Sequence, residues 1–408
     1  MLREWLNDIV LIRPAKQPGR ALSFWLVLAA ASVVLATWVA RDEGGMMLDL
    51  HELRSWLRAW MVDGHSPYTV FAPDADYPPM AFLLLAPLGL PSGTAVASWF
   101  VPLAVASVIL ASWMMLRWLT RELRLTLSAS EVIALIAMVL AMGTTRRLIW
   151  HGQTVAVSII FGMLALQWAP QRRVAAGVAL ALCAFKPQIG LGFALALLVT
   201  QGAGSIVALS TAAVVTALSF VVFATTLALP VGEVAASWFH NIATIYTGPD
   251  RVRELLGLRY LIEDVTRSSS LALVIWVTSA VAALVVIARA TGASRAHRSI
   301  ACLMWGLVFL PHQLYDGLLA VPALWWLMWP EAGGGSRSRP MATALIATLV
   351  MLDVFDISGV MREIARQFDS TALFAASQWL PPLRMIVLTA LVLPLGMSTA
   401  PAAPPHEK

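Results

Sequence analysis

Charged residues are scarce in this sequence. Asp, Glu, Lys and Arg make up 12% of its 408 residues, 59% are hydrophobic, and the mean hydropathy is +0.77. Soluble domains carry about 25% charged residues, so this composition excludes the soluble globular class and predicts an integral membrane protein. The sequence pI is about 9.6, but the basic residues fall in short loops between apolar runs, where they set membrane orientation. We therefore expect no nucleic-acid partner.

Cysteine and lysine are also scarce. Cys183 and Cys302 both fall in apolar runs, which argues against a disulfide framework and favours small core residues. Lys186 is the only lysine away from the two ends of a chain that is rich in arginine. An unpaired ammonium in hydrocarbon costs about 3 kcal/mol. Lys186 is therefore predicted to meet an anion, the alternative being that its side chain extends to the membrane interface.

Familiar catalytic signatures are missing. The sequence contains no metal-ligand spacing, Walker loop, GxSxG or dinucleotide fingerprint. Asp74-Ala75-Asp76 has the spacing of the carboxylate pair with which many nucleotide-sugar enzymes hold Mg²⁺, but one match in a loop is weak support. We expect no metal site and no cofactor.

The apolar runs that are present predict an all-α chain with about twelve membrane spans. The first run, residues 21–40, is longer than the 7 to 15 residues or so of a signal-peptide core, so it is predicted to be a retained span. Lys and Arg in the short loops place both termini on the cytoplasmic side. The whole chain, residues 1–408, is then one membrane domain with a cytoplasmic N-terminus at 1–20 and a flexible cytoplasmic tail at 398–408.

One predicted span is interrupted. Between residues 174 and 201 the apolar signal is broken by Phe185-Lys186-Pro187-Gln188. Neither half is long enough to cross comfortably. We predict two half-spans that bend near Lys186, because non-helical backbone at membrane depth persists only where it lines a cavity.

Two long segments are predicted outside the membrane, at residues 41–93 and 231–268. In the first, Leu50, Leu53, Trp56, Leu57, Trp60 and Met61 recur at helical spacing. This pattern predicts an amphipathic helix in the membrane interface. The apolar run 80–90 lies between prolines and is too short to cross, which predicts a second juxtamembrane helix.

Asp49 stands where this first amphipathic helix begins. One interpretation is a general base that removes a proton from an incoming hydroxyl. The other is an N-cap, because Asp favours the residue just before a helix. The position of Asp49 in the sequence fits both interpretations.

Other polar residues fall on the same predicted side of the membrane. His151-Gly152-Gln153, at a predicted helix start after Arg146-Arg147, suits a phosphate, although the arginines also fit a solvated loop. His312 and Asp316 are four apart and would share one helix face, as a structural pair or as a catalytic one.

Tyr68 and Tyr77 have two interpretations of their own. They lie among glycine and proline residues that indicate turns. Both rings fit a membrane-interface belt, and both fit the wall of a sugar or lipid pocket.

Several short motifs occur in order along the chain: Asp49, Gly64-His65-Ser66-Pro67-Tyr68, Tyr77-Pro78-Pro79, Gly152-Gln153, Phe185-Lys186-Pro187 and Tyr315-Asp316. Taken together, they resemble glycosyltransferase family 87. The resemblance spans residues 40–330 and is carried by many short matches. The family is similar to bacterial polyprenyl-phosphate-mannose-dependent mannosyltransferases, which have the GT-C fold.

The resemblance implies an inverting, metal-independent sugar transfer from a lipid monophosphate donor. Asp49 matches the first-loop aspartate that acts as the base. We assign binding of the donor phosphate or sugar to Lys186, His312, Arg147, His151, Gln153, Tyr315 and Asp316. We assign acceptor binding or loop positioning to Tyr68, Tyr77, His51, Arg259 and Tyr260. The family more often carries an aromatic residue after the aspartate, whereas Leu50 stands here, which leaves the acceptor open.

We therefore expect a hexosyltransferase, acting with mannose by analogy, of GT-C architecture. Its expected partners are a polyprenyl-phosphate sugar, a lipid-linked or envelope glycan acceptor and the lipid bilayer. Its expected location is the bacterial cytoplasmic (inner) membrane, with the active site facing the periplasm. A transporter or flippase of lipid-linked sugars also fits many spans with one broken segment, and so does a lipid-linked glycan ligase. Polar groups on one side and no internal duplication favour the transferase over the transporter.

Overall fold

The protein is helical in all the regular secondary structure that is described. The computed structural model describes residues 18–42, 47–90, 93–247, 258–290, 292–329, 348–350, 352–354 and 356–395. The predicted all-α class is confirmed over this part of the chain. Residues 1–17 of the predicted N-terminal segment and the predicted tail lie outside the described residues.

The helices follow one another with short connections. They are α1 (Pro18–Asp42), α2 (Leu48–Met61), α3 (Pro67–Val70), α4 (Pro79–Leu85), α5 (Gly93–Leu123), α6 (Ala129–Ala141), α7 (Gly143–His151), α8 (Val155–Trp168), α9 (Arg173–Cys183), α10 (Pro187–Gln201), α11 (Ile206–Thr226), α12 (Val231–Thr247), α13 (Leu258–Thr266), α14 (Ser269–Arg289), α15 (Arg295–Phe309), α16 (Val321–Met328), α17 (Ile357–Gln367) and α18 (Thr371–Leu395). A 3₁₀ helix, Leu314–Ala320, precedes α16.

The number of helices able to cross a membrane differs from the prediction. Four described segments are long and apolar enough: Trp99–Leu123, Pro187–Thr226, Ser269–Arg289 and Thr371–Val392. The pair α6 and α7, bent by 59°, makes a fifth if it is one span. The predicted count of about twelve is not confirmed. Helices α8 and α9 have only 14 and 11 residues, shorter than the 17 or so that a spanning helix needs.

The predicted interruption before Pro187 is confirmed. Helix α9 ends at Cys183 and α10 begins at Pro187. Proline has no backbone N–H, so it is tolerated in the first turn of a helix but not in the interior. The backbone of Lys186 is extended, with φ −110° and ψ 94°. Lys186 therefore lies between two helix ends and does not belong to a regular helix.

Both helices predicted in the first long outer segment are confirmed. They are α2, and α4 with the 3₁₀ turn Ala86–Leu88. The rings of Trp60, Phe82 and Tyr68 pack around Phe223 of α11 with centroids 5.1–5.7 Å apart. Aromatic pairs at such distances stabilise by about 1 kcal/mol beyond their buried area. This cluster attaches residues 47–90 to the helices.

Arginines gather at one end of the packed helices. Arg295 begins α15, lies 3.5 Å from a carboxylate oxygen of Glu122 in the last turn of α5, and donates to the Leu166 carbonyl near the end of α8. Arg298 donates to the Val199 carbonyl near the end of α10. The arginine-rich end is thus formed by the start of α15 and the ends of α5, α8 and α10.

The opposite ends of the same helices meet elsewhere. Gln153 precedes α8, Lys186 precedes α10, and Leu310 follows α15. Helix α8 packs against α5, α9 and α10, and α10 packs against α15. The three loop positions are therefore brought to one end of the helices, away from the arginines described above.

A candidate active site between two cavities

Asp49 occupies the first turn of α2. The N-cap of this helix is Met47, whose backbone is left-handed with φ 52°, so the interpretation of Asp49 as the N-cap is wrong. Its carboxylate oxygen Oδ2 instead accepts a hydrogen bond from Nε2 of Gln153. A carboxylate in the first turn is favoured by the helix dipole. Asp49 is therefore held both by its own helix and by the loop before α8.

Gln153 joins Asp49 to Lys186. Lys186 Nζ donates to Gln153 Oε1 at 2.5 Å, and the Tyr77 hydroxyl donates to the same oxygen at 3.3 Å. Gln153 is 4% exposed and Lys186 is 3% exposed. The structure thus contains a chain of polar groups that runs from a buried ammonium through a buried amide to a partly exposed carboxylate.

Aromatic rings and a second carboxylate surround the ammonium. Lys186 Nζ lies 4.8 Å from the ring centroid of Tyr77 and 5.4 Å from that of Tyr315, within the range of cation–π attraction. Asp316 also interacts electrostatically with Lys186. Burial raises the pKa of the Tyr77 hydroxyl, an effect that the charge of Lys186 only partly offsets. Tyr77 therefore remains protonated at neutral pH and acts as a hydrogen-bond donor.

A tight turn brings α2 and Gln153 together. Gly152 has φ +72°, and a Cβ atom on it would lie 2.6 Å from Cβ of Leu50. The backbone N–H of Met47 donates to the Trp150 carbonyl at 2.9 Å. Only glycine adopts this conformation without strain. The glycine therefore allows α2 to approach the turn that carries Gln153.

The conformation of the same turn contradicts the prediction that a helix begins at His151-Gly152-Gln153. His151 is the last residue of α7, and α8 begins only at Val155. The backbone N–H groups of Gly152 and Gln153 donate to the carbonyls of Ile149 and Leu148. These donors are satisfied internally, so the predicted helix-start anion site is wrong.

A substitution at Gly152 tests whether this turn is needed for activity. We expect Gly152→Ala to reduce the activity of this site by about 10²-fold, because a displacement of about 1 Å between catalytic groups has an effect of that size. Initial rates with purified protein measure the change. Gly64→Ala is the matched control: Gly64 also has positive φ, but nothing lies within 4 Å of the added Cβ. Equal activity of the two variants would contradict the role given to the Gly152 turn.

Two adjacent cavities meet at Asp49. Cavity A, of about 360 Å³, contains Lys186, Gln153 and Tyr77 in its wall. Cavity B, of about 680 Å³, contains Arg147 and His151. The residues that line both are Asp49, Glu52, Gln313 and Tyr315. Asp49 is therefore accessible from two compartments with different chemistry.

Cavity A is lined by one cationic side chain, by apolar side chains and by carboxylates. Leu191, Ile242, Ile245 and Leu310 contribute apolar wall. Asp74 and Asp76 also line this cavity. The cavity can therefore accept a ligand with an anionic group, a polyhydroxyl group and a hydrocarbon chain.

Cavity B is polar and rich in both signs of charge. Arg362 and Arg366 line it from α17, together with Glu363 of the same helix. Arg147 Nη2 lies 2.8 Å from Asp356 Oδ1 in an ion pair at its edge. His151 Nδ1 lies 3.9 Å from Asp49 Oδ1. This cavity suits a polar, hydroxyl-bearing ligand that reaches Asp49 past residues other than Lys186.

The predicted donor residues are divided between the cavities or buried behind them. Lys186 and Gln153 line cavity A, Arg147 and His151 line cavity B, and Tyr315 lines both. His312 and Asp316 are fully buried. His312 Nδ1 lies 3.0 Å from Asp316 Oδ2, so the predicted pair forms, but His312 precedes the 3₁₀ helix and the two do not share a helix face.

The predicted acceptor residues are more scattered. Tyr77 lines cavity A, whereas Tyr68 is buried and donates its hydroxyl to the Tyr77 carbonyl at 2.8 Å. Tyr68 thus supports Tyr77. His51, Arg259 and Tyr260 line neither cavity A nor cavity B, and their assignment remains a prediction.

Some lining residues were not predicted from the sequence. Glu52 is one, although it lies three residues after Asp49 and so on the same helix face. Arg362 and Arg366, four apart on the amphipathic α17, are two others. Among the described residues, no group of three or more His, Cys, Asp or Glu side chains has a geometry that could hold a metal ion.

Comparison with known proteins identifies a family. A family model described as glycosyltransferase family 87 matches residues 76–322, more than half of the chain. The matched region contains Tyr77, Gln153, Lys186 and Tyr315 and begins after Asp49. No curated protein and no solved structure matches.

Proposed function

The chain belongs to glycosyltransferase family 87, and from this membership we propose that it transfers a hexose, mannose by analogy, from a polyprenyl-phosphate sugar to a hydroxyl of a lipid-linked or envelope glycan. The observation that carries the proposal is the position of Asp49. It lies where two cavities meet, and a hydrogen-bonded amide connects it to a buried ammonium. A base between two substrate compartments is the arrangement that a direct transfer between two substrates needs.

The donor binds in cavity A. Its phosphate pairs with Lys186, whose ammonium has three N–H donors and uses one for Gln153. The first isoprene units lie along Leu191, Ile245 and Leu310, which form the apolar side of the cavity. A fixed cation in a water-poor site stabilises the negative charge that grows on a departing phosphate.

The acceptor hydroxyl approaches from cavity B. Asp49 removes its proton as the acceptor oxygen bonds to the anomeric carbon of the sugar. The bond from that carbon to the phosphate oxygen breaks, and its electron pair leaves with the phosphate. Attack from the side opposite the leaving group inverts the anomeric configuration. Asp49 lies between the two cavities, which supports this single-displacement geometry.

The arginines at the start of α15 support an outer-face site for the two cavities, although three other arginines line cavity B. The arginines at the start of α15 lie at the opposite end of the helices from Lys186 and Gln153. Arginine-rich short loops mark the cytoplasmic side. We therefore place both cavities at the outer face of a bacterial cytoplasmic membrane, within a polytopic protein of GT-C architecture.

A reconstituted transfer assay tests the proposal. Purified protein in lipid vesicles is incubated with radiolabelled polyprenyl-phosphate mannose and a total lipid extract, and in parallel with a radiolabelled nucleotide-linked mannose. We expect label to enter an acceptor from the lipid phosphate donor alone. Transfer from the nucleotide sugar would overturn the donor assignment. Movement of intact lipid-linked sugar across the vesicle membrane without transfer would support the flippase alternative.

A further inference from the structure

The orientation of the Gln153 side-chain amide is fixed by its partners. An ammonium can only donate and an ionised carboxylate can only accept hydrogen bonds. Oε1 must therefore face Lys186, and Nε2 must face Asp49, as in the structure. With the amide reversed, its NH₂ group would face the ammonium and its oxygen would face the carboxylate. One orientation satisfies all the partners.

This arrangement leaves one donor of the Gln153 amide, the second N–H of Nε2, for any other ligand. Its Oε1 accepts from Lys186 and Tyr77, and its Nε2 donates to Asp49 Oδ2. A phosphate oxygen needs a donor, and the side that faces the Lys186 ammonium presents an acceptor. The contacts therefore favour a role different from the donor-binding role predicted for Gln153 from the sequence.

We propose that Gln153 is a positioning residue that holds Oδ2 of Asp49 and leaves Oδ1 as the atom that receives the proton. The inference rests on the proposed transferase function. Oδ1 is the oxygen that lies 3.9 Å from His151 Nδ1, and His151 lines cavity B and not cavity A. The free oxygen of the base thus faces the compartment assigned to the acceptor.

The same amide connects the base to the donor-binding cation. Lys186 is anchored through Oε1, and Asp49 through Nε2, so one planar group sets the separation of the two charges. The opposite charges of Lys186 and Asp49 attract each other. A direct ion pair between them would leave neither group available to its substrate. The amide lies between them, with the ammonium in the wall of cavity A and the carboxylate where the two cavities meet.

Steady-state kinetics of Gln153→Leu test the inference. Leucine has a similar size but makes no hydrogen bond. We expect kcat to fall by about 10²-fold, because the base loses its orientation, while the KM for the lipid phosphate donor stays within about twofold of the wild-type value. Gln171→Leu, at an exposed position after α8, is the control. A donor KM that rises at least tenfold would show that Gln153 binds the donor and overturn the inference.

The pH dependence of Gln153→Glu adds a readout that a purely structural role would not change. Glutamate keeps the acceptor for Lys186 but places a second carboxylate against Asp49. A like charge at this distance raises the pKa of a neighbouring carboxylate. We expect the acidic limb of the kcat profile to move up by about one pH unit or more. An unmoved profile would overturn the inference.

A binding measurement separates failure of this inference from failure of the proposed function. A short-chain prenyl phosphate without sugar should raise the melting temperature of the wild type and of Gln153→Leu equally. If the wild type neither transfers sugar nor responds to the prenyl phosphate, the proposed function fails and the inference fails with it. If the wild type does both and only Gln153→Leu loses the response, the inference alone is overturned.

Discussion

Asp49→Asn should fold normally and transfer sugar about 10²-fold to 10⁴-fold more slowly than the wild type. A general base contributes a factor of this size. Asparagine has the same shape and keeps an oxygen that can accept from Gln153 Nε2. What it loses is the ability to take a proton. Single-turnover rates with labelled polyprenyl-phosphate mannose measure the effect, and the melting temperature should stay close to that of the wild type.

Two further variants make this prediction specific. Asp63→Asn removes a carboxylate at the other end of α2, at an exposed position that lines neither cavity, and should leave the rate unchanged. Glu52→Gln is the informative competitor, because Glu52 is the only other carboxylate that lines both cavities among the described residues. A larger loss of rate in Glu52→Gln than in Asp49→Asn would transfer the role of base to Glu52.

Asp49 and Lys186 could be singled out from the sequence as candidates because a charge next to an apolar run is costly. Each residue stands out against its own neighbours, and no knowledge of the fold is needed. The helix break at Lys186 was also predictable, because Pro187 lacks the N–H that a helix interior requires. The link between Asp49 and Lys186 through Gln153 was not predictable, because Gln153 lies 104 and 33 residues from these partners in the sequence.

The turn at Gly152 explains why the prediction of a helix start at His151 was wrong. The prediction treated His151-Gly152-Gln153 as the start of a helix, but the glycine has positive φ and ends α7. Glycine just after a helix is a common C-terminal signal, so the sequence did contain a cue. It did not reveal that Leu50 packs against this glycine, because that contact joins segments about one hundred residues apart.

Apolar composition alone does not establish how many of the described helices cross a membrane. Helices α8 and α9 are as apolar as a span but too short to cross unaided, and both bury residues against their neighbours. Hydropathy measures the preference of a segment for an apolar environment. It does not distinguish lipid from the interior of a helix bundle.

Lys186→Met should abolish most donor binding. We expect kcat to fall by about 10²-fold to 10³-fold, the cost of removing one preorganised group that stabilises developing negative charge, and the melting response to a short-chain prenyl phosphate to disappear. Methionine has a similar length and no desolvation cost in an apolar site. Removing one partner of a buried charged group can cost about 3–5 kcal/mol, and Asp316 and Gln153 both lose Lys186 as a partner, so the melting temperature of the ligand-free variant is measured first to establish that it folds.

The matched control for Lys186→Met is Arg58→Met. It removes the same charge from an exposed position on α2 that lines neither cavity, and it should leave both rate and prenyl-phosphate response unchanged. If Lys186→Met instead keeps its donor KM and its response, the donor phosphate binds elsewhere. Cavity B, with Arg147, Arg362 and Arg366, would then hold the donor. The acceptor would approach through cavity A, and Asp49 would receive the proton from the Lys186 side.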